Sequence, residues 1–282
     1  MFGFNPYKLE NENISLALIQ RYINDVHPRR TCLSVSQHIH NYFFNPPFKK
    51  AIEAFFYSEF KKKFGINKNG KYYVKCGGYD LNQIISWVNK YQNVIFINDA
   101  LPLSLVLSFY KRKDADGWKY TKLGNIVNAI KYRKDFSRLS YITETAAYAI
   151  SSFPYYKDAD CICAIPPSQG KDFDLPSHIA SDLSSKVSKQ NISQFVVAGN
   201  KKQLKQTPLD DKITELFNWD VSINTDIRGK KIILIDDLYQ SGATMMYIAM
   251  KLQTAGASAV YGLSMVKNLT NSDNCKEGEK YE

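Results

Sequence analysis

Apolar positions along this chain follow two rhythms, and they change places repeatedly. Leu123, Ile126, Val127 and Ile130 recur at i, i+3, i+4, i+7, the spacing of one face of an amphipathic helix, and a second helical pattern runs through Leu139, Ile142, Ala146 and Ile150. Asp158 to Ile165 reads as a short buried strand, stopped by Pro166-Pro167 because proline has no N–H to give to a ladder. Ser177 to Val187 reads as a helix with Ile179, Ala180, Leu183 and Val187 inward, and Phe195 to Ala198 as a strand. Lys201 to Lys212 is a polar, Lys-rich loop. Lys231 to Ile235 is a continuous apolar strand, Met245, Ile248, Ala249 and Leu252 mark the helix after it, and Ala259 to Val266 returns as a strand. Strands alternating with helices predict a parallel sheet flanked by helices, an α/β architecture.

Upstream the rhythm is less regular. Lys71 to Cys76 and Asn93 to Asn98 read as strands; Ser15 to Tyr22, Phe48 to Phe64 and Leu81 to Tyr91 read as helices; Asp114 to Gly117 reads as a turn. The expected organisation is an N-terminal α/β extension or cap over 1–118, a core domain over 119–269 and a charged tail over 270–282. The extension reads equally as a separate cap or as elements wrapped on the main sheet.

The chain has 282 residues, 44% hydrophobic and 23% charged, the composition of a globular protein rather than a disordered one. A net charge of +10 suits anionic partners, whether phosphorylated small molecules, nucleic acid or a membrane surface, without choosing among them. The first residues lack the charged start and apolar core of a signal peptide, and the apolar run Leu101 to Tyr110 is too short to span a bilayer, so a cytoplasmic protein without a membrane partner is expected. The five cysteines include no C-x-x-C pair, which supports neither a disulfide framework nor a zinc ribbon. Cys161 and Cys163 alternate in an apolar run and read as buried thiols on one side of a strand. The four histidines have no zinc-ligand company.

Chemistry concentrates in IILIDDLYQSGAT, Ile232 to Thr244. Asp236 and Asp237 close a buried strand, and in open parallel sheets ligands sit beyond the carboxyl ends of the strands. The loop that follows enters a helix N-terminus, where unpaired N–H groups and the helix dipole favour an anion. Gly242 permits close backbone approach, and Ser241 and Thr244 add hydroxyls, so Leu238, Tyr239, Gln240, Ser241, Gly242, Ala243 and Thr244 form a candidate phosphate nest. Carboxylates repel phosphate, so Asp236 and Asp237 are better aimed at hydroxyls, and a ribose 5-phosphate satisfies both halves. A Mg²⁺ ion, hard and oxygen-seeking, would be at home on the same two acids. A Walker B strand also ends in acids, but no G-x-x-x-x-G-K-[ST] occurs here, and too little chain follows Asp237 to complete a receiver domain. A plain structural strand and turn with surface acids is the remaining reading.

Ile232 to Thr244 closely resembles the phosphoribosyl pyrophosphate (PRPP) motif of type I phosphoribosyltransferases, with Gln240 where the family usually has Thr or Ser. Upstream, Asn128 to Phe136 (NAIKYRKDF), Ile162 to Ser168 (ICAIPPS) and Gln206 to Ser222 are similar in order and spacing to segments of the ComF-like (competence-associated) branch. The resemblance covers roughly Leu123 to Lys267, and only the PRPP motif in it is specific. Gly170 to Leu175 stands where that branch has Arg-Arg-Gly-Phe-Asn-Gln, and the branch's N-terminal zinc cysteines are absent. The resemblance implies a type I phosphoribosyltransferase-like parallel sheet and transfer of phosphoribose to or from a nitrogenous base, with pyrophosphate as the other product or substrate. It implies that Asp236 and Asp237 orient ribose and Mg²⁺, that Asp237 acts as a proton acceptor, that Ser168 belongs with the PRPP-binding residues, and that Lys171 and Lys201 to Lys205 serve the pyrophosphate, with Asp172 and Asp174 opposing it. Lys201 to Lys205 reads either as a lid over the site or as a solvated face.

The alternative is a non-catalytic PRPP or nucleotide sensor, or a nucleic-acid-associated accessory protein using Lys and aromatics such as Phe48-Lys49-Lys50 and Phe60 to Phe64. Phe56, Phe60 and Phe64 recur at helical spacing, which favours a core face over a stacking platform. A homodimer is a further expectation.

Overall fold

The computed structural model describes residues 34–38, 41–46, 49–70, 72–76, 81–91, 94–97, 99–167, 173–199 and 215–268. The expected helix at 15–22, the 201–212 loop and the 270–282 tail lie outside them.

Among the described residues six strands form the central sheet, in the order β10 (Gln190–Asn191), β9 (Cys161–Ala164), β13 (Lys231–Tyr239), β14 (Ala259–Lys267), β6 (Ser104–Phe109), β5 (Ile95–Phe96). All neighbours run parallel except β5, which pairs antiparallel with β6. β13 and β14 are the longest strands and carry near-continuous apolar runs, as strands covered on both faces must. Ile233 and Ile235 feed one hydrophobic layer; Ile232 and Leu234 feed the other. These four side chains are fully buried, and each contributes about 1.5–3 kcal/mol of transfer free energy.

On the first face lie α1 (Lys50–Phe60), α2 (Leu81–Tyr91), α3 (Lys122–Arg133), α4 (Leu139–Ser152) and α6 (Leu175–Val187), with the short α5 (Pro154–Lys157) between α4 and β9. The second face carries α7 (Ala243–Thr254) and the small antiparallel pair β11 (Val196–Ala198) and β12 (Val221–Ile223). An antiparallel sheet of β1 (Ser34–His38), β2 (Asn41–Asn45), β4 (Tyr72–Cys76) and β3 (Gly65–Ile66) packs with α1 and α2. β7 (Lys111–Asp114) and β8 (Gly117–Tyr120) form a hairpin around the expected turn.

Two features bear on the choice the sequence left open between a separate cap and elements wrapped on the main sheet, and one departs from the sequence reading. The run from Leu101 carries β6, a strand inside the main sheet, so the sheet takes up residues on the N-terminal side of position 119. The two parts also share one core: the Phe153 ring stacks on Phe55 at 4.9 Å and meets Tyr91 at 5.1 Å and Phe96 at 5.9 Å. β13 does not end at Ile235 but continues through both acids to Tyr239, because Leu238 and Tyr239 find ladder partners in Val266 and Lys267.

Other expectations match. Phe56 and Phe64 are buried and Phe60 packs against them, so that face is core. Cys161 and Cys163 are buried on the same side of β9, and burial pushes the Cys163 thiol up to about 12, which leaves it inert. Among the described residues, no helix is long and apolar enough to cross a membrane.

Candidate functional site

The chain's path through the sheet marks one crevice. From β9 it passes through α6 on the first face to β10, outward on one side. From β13 it passes through α7 on the second face to β14, outward on the other side. Because β9 and β13 are adjacent, their onward connections diverge, and a crevice opens beyond their carboxyl ends. Pro166-Pro167 leaves β9 there, and Gln240 to Gly242 leaves β13 there.

Asp236 and Asp237 occupy this end of β13. Successive strand residues face opposite sides, so the two carboxylates diverge. Asp237 turns to the first face, where its Oδ2 lies 2.7 Å from Lys131 Nζ, with only 12% and 17% of the two side chains exposed. Lys131 stands in the last turn of α3, where the negative end of the helix dipole also favours a cation. Burial lowers the Lys131 ammonium's proton affinity, but the Asp237 carboxylate and its hydrogen bond reverse the sign, and the net shift is upward. Asp236 is half-buried, and its Oδ1 accepts the Asp237 N–H at 2.8 Å. Burial first, then the Asp237 charge, push its carboxyl up to about 7, with Lys131 pulling the other way. The paired acids therefore have different environments: Asp237 is held by a cation, while the carboxyl of Asp236 is pushed well above the usual carboxylate range.

The turn after β13 is set by what lies beneath it. The Tyr239 side chain folds under Gly242, and its hydroxyl donates to Asp99 Oδ2 at 3.2 Å. Asp99 is 1% exposed, and its Oδ1 accepts from Leu101 N at 3.0 Å and Ser104 Oγ at 2.9 Å. Burial, then the Asp99 charge, push the Tyr239 phenol well above its ordinary range, so it stays a neutral donor. Gly242 has φ 73°, and a Cβ there would collide with the Tyr239 hydroxyl, so this position requires glycine twice over. Gly242 caps α7, whose first turn points its N–H groups into the crevice. Ser241 Oγ accepts the Ala243 N–H at 3.3 Å, and a hydroxyl that accepts there keeps its own proton to donate.

The nest expected over Leu238 to Thr244 therefore divides. Leu238 and Tyr239 are ladder residues of β13, while Gln240, Ser241, Gly242, Ala243 and Thr244 form the turn and the start of α7. Ser168 and Lys171 lie outside the described residues. Asp174, expected to oppose a pyrophosphate by its charge, caps α6 by accepting the Ser177 N–H at 3.1 Å. Beside it, Phe173 stacks on His178 at 4.8 Å and meets Phe136 at 5.0 Å.

Four contributors carry no role in the sequence reading. Lys131 is one residue of a helical segment there, and its ion pair joins residues far apart in the chain. Asp99 sits in a loop with no pattern around it. Lys267, opposite Tyr239 at the end of β14, is 1% exposed and donates to the Asn268 carbonyl at 2.9 Å. Tyr110 follows β6; its hydroxyl donates to Asn128 Oδ1 at 2.9 Å, and burial, then Tyr120, Tyr132 and the Asp237 carboxylate, raise its pKa.

The donors present do not fit a metal ion held by the protein alone. Among the described residues no three His, Cys, Asp or Glu side chains converge, Asp237 Oδ2 is taken by an ammonium and Asp236 Oδ1 by an amide.

No family model matches the chain, and no curated protein matches it. Solved structures do. A hypoxanthine phosphoribosyltransferase from Staphylococcus aureus aligns with 11% identity and a TM-score of 0.33, over 51% of this chain and 69% of that one. A second crystal form of a protein so named aligns with 12% identity and a TM-score of 0.33, over 48% and 67%. A purine phosphoribosyltransferase from Pyrococcus horikoshii Ot3 aligns with 13% identity and a TM-score of 0.30, over 50% and 92%.

Proposed function

We propose that this protein is a phosphoribosyltransferase that takes PRPP and transfers its phosphoribosyl group to a nitrogenous base. The observation that carries the reading is the pairing of two elements at one sheet crevice. Asp236 and Asp237 close the central strand, and the glycine-capped N-terminus of α7 follows a short turn later. A ligand bridging them must offer an anion to the helix end and hydroxyls to the acids, and a ribose bearing a 5-phosphate does both. The motif resemblance of Ile232 to Thr244 supports the same assignment.

In this mechanism the turn Gln240 to Thr244 grips the 5-phosphate, Asp236 meets the ribose hydroxyls, and Asp237, paired with Lys131, completes the charge at the strand end. The bond from the anomeric carbon to pyrophosphate breaks with its electron pair on the leaving oxygen, the bond to the base nitrogen forms, and the nitrogen's proton leaves to solvent. Positive charge grows on the sugar along the way, and preorganised carboxylates at the crevice stabilise it without reorganising. Holding sugar and base together supplies the rest. A divalent cation that accompanies PRPP would supply charge neutralisation for the leaving pyrophosphate.

The test is a calorimetric titration of PRPP with Mg²⁺ into the protein and into the Asp236→Asn/Asp237→Asn variant. Saturable binding by the former and a loss of at least tenfold in the latter is expected. No binding by the unaltered protein would sink the reading. Release of pyrophosphate from PRPP in the presence of a panel of nitrogenous bases then identifies the acceptor.

A further inference from the structure

The Lys131–Asp237 pair has a consequence for how the acidic site handles charge. Asp237 Oδ2 and Lys131 Nζ are 2.7 Å apart, and both side chains are largely shielded from water. A divalent cation bound to that oxygen would need to come within about 2.1 Å of it. It would then lie within a few ångströms of the ammonium, in a setting where water screens poorly, and the two cations would repel strongly. The pair is shielded from water, and the backbone that carries the ammonium is held in place. Lys131 stands on the last turn of α3, and that helix is fixed against the end of β6: Gly124 lies so close to the Tyr110 carbonyl that a Cβ there would clash with it. Thr121 caps the helix by accepting the Gly124 N–H at 2.9 Å, and its own hydroxyl donates to the Phe109 carbonyl at 2.5 Å. The cation is thus carried by a helix anchored at its far end to the same sheet that carries the acids.

We propose that Lys131 is the resident cation of the acidic pair, taking on Asp237 the place a divalent metal would otherwise hold, so that the pair receives a phosphorylated sugar without a metal ion. This rests on the phosphoribose reading above and deepens it. Lys131 acts as a positioning residue: it holds Asp237 in one orientation and offsets its charge, which would otherwise repel an incoming anion. Asp236, on the opposite side of the strand, is left to meet the sugar hydroxyls.

The probe is ribose 5-phosphate, titrated calorimetrically in EDTA and again in excess Mg²⁺. The unaltered protein is expected to bind with the same affinity, within about twofold, in both. Lys131→Met should lose at least tenfold in EDTA and recover most of it in Mg²⁺, as the vacated carboxylate accepts the metal. Lys131→Arg should keep metal-independent binding. A residue with a merely structural role would not give Mg²⁺-dependent rescue. The proposal is overturned if the unaltered protein binds only with Mg²⁺, or if Lys131→Met binds in EDTA as the unaltered protein does. The first outcome leaves the phosphoribose reading standing. Binding in neither buffer sinks that reading and the inference with it. Should Lys131→Met fail to fold, the comparison of the unaltered protein in the two buffers still decides.

Discussion

Among individual side chains, the candidate site stores an electrostatic conflict. Asp236 is pushed up to about 7 by burial and by Asp237, whereas an unfolded chain ionises such a group near 3.8. Between those values the folded state binds the proton more tightly, so this group makes the protein less stable as pH rises from about 4 to about 7, and the loss is complete above that. Asp236→Asn removes the conflict. Urea unfolding at pH 8 should show the variant more stable than the parent, while at pH 4 the two should be alike; ribose 5-phosphate binding should fall at least tenfold. That is the pattern of a residue kept for function at a cost in stability. Asp99 has the opposite character. Its carboxylate joins Leu101, Ser104 and Tyr239 inside the core, so Asp99→Ala leaves several buried donors unmet and should cost on the order of 3 kcal/mol in urea unfolding.

Among strands and helices, the decisive feature is the turn from β13 into α7. Gly242→Ala must force an alanine to φ 73° and push against the Tyr239 hydroxyl, which predicts a loss of about 1–3 kcal/mol by chemical denaturation together with weaker phosphate binding. Much of this region is legible in the sequence. The apolar run of β13, the two acids and the glycine before α7 follow one another along the chain, so strand, site and helix can be read in order. Where the strand stops cannot be. Leu238 and Tyr239 stay in the ladder because β14 is long enough to pair with them, and that length belongs to another part of the chain. For the same reason β6 reads as a bare apolar run: it is a strand only because β14 lies beside it. Lys131 is legible as a helix residue, on the periodicity of Leu123 to Ile130, but its partner is set by tertiary packing.

Across the molecule, the described residues before position 119 are structurally joined to the core. β5 and β6 complete the main sheet, Asp99 supports the turn at the candidate site, and Phe153 bridges the two parts. A fragment beginning at residue 119 would strip β6 from β14, exposing a long apolar edge, and is expected to aggregate on expression rather than fold. Phe153→Ala should cost about 3–5 kcal/mol and lower one cooperative transition, seen alike by tryptophan fluorescence, through Trp87 and Trp219, and by far-ultraviolet circular dichroism. Two separated transitions would show that the parts fold independently. The assignment of a phosphorylated ribose, with its phosphate on the N-terminus of α7, is met head-on by mapping backbone amide shifts across the whole chain during titration with ribose 5-phosphate. The expected result is a saturable set of shifts centred on Gln240 to Thr244, with Asp236 and Asp237 beside it and a matching change in the ligand's phosphorus signal. Saturable shifts centred elsewhere, or none at all, would contradict it.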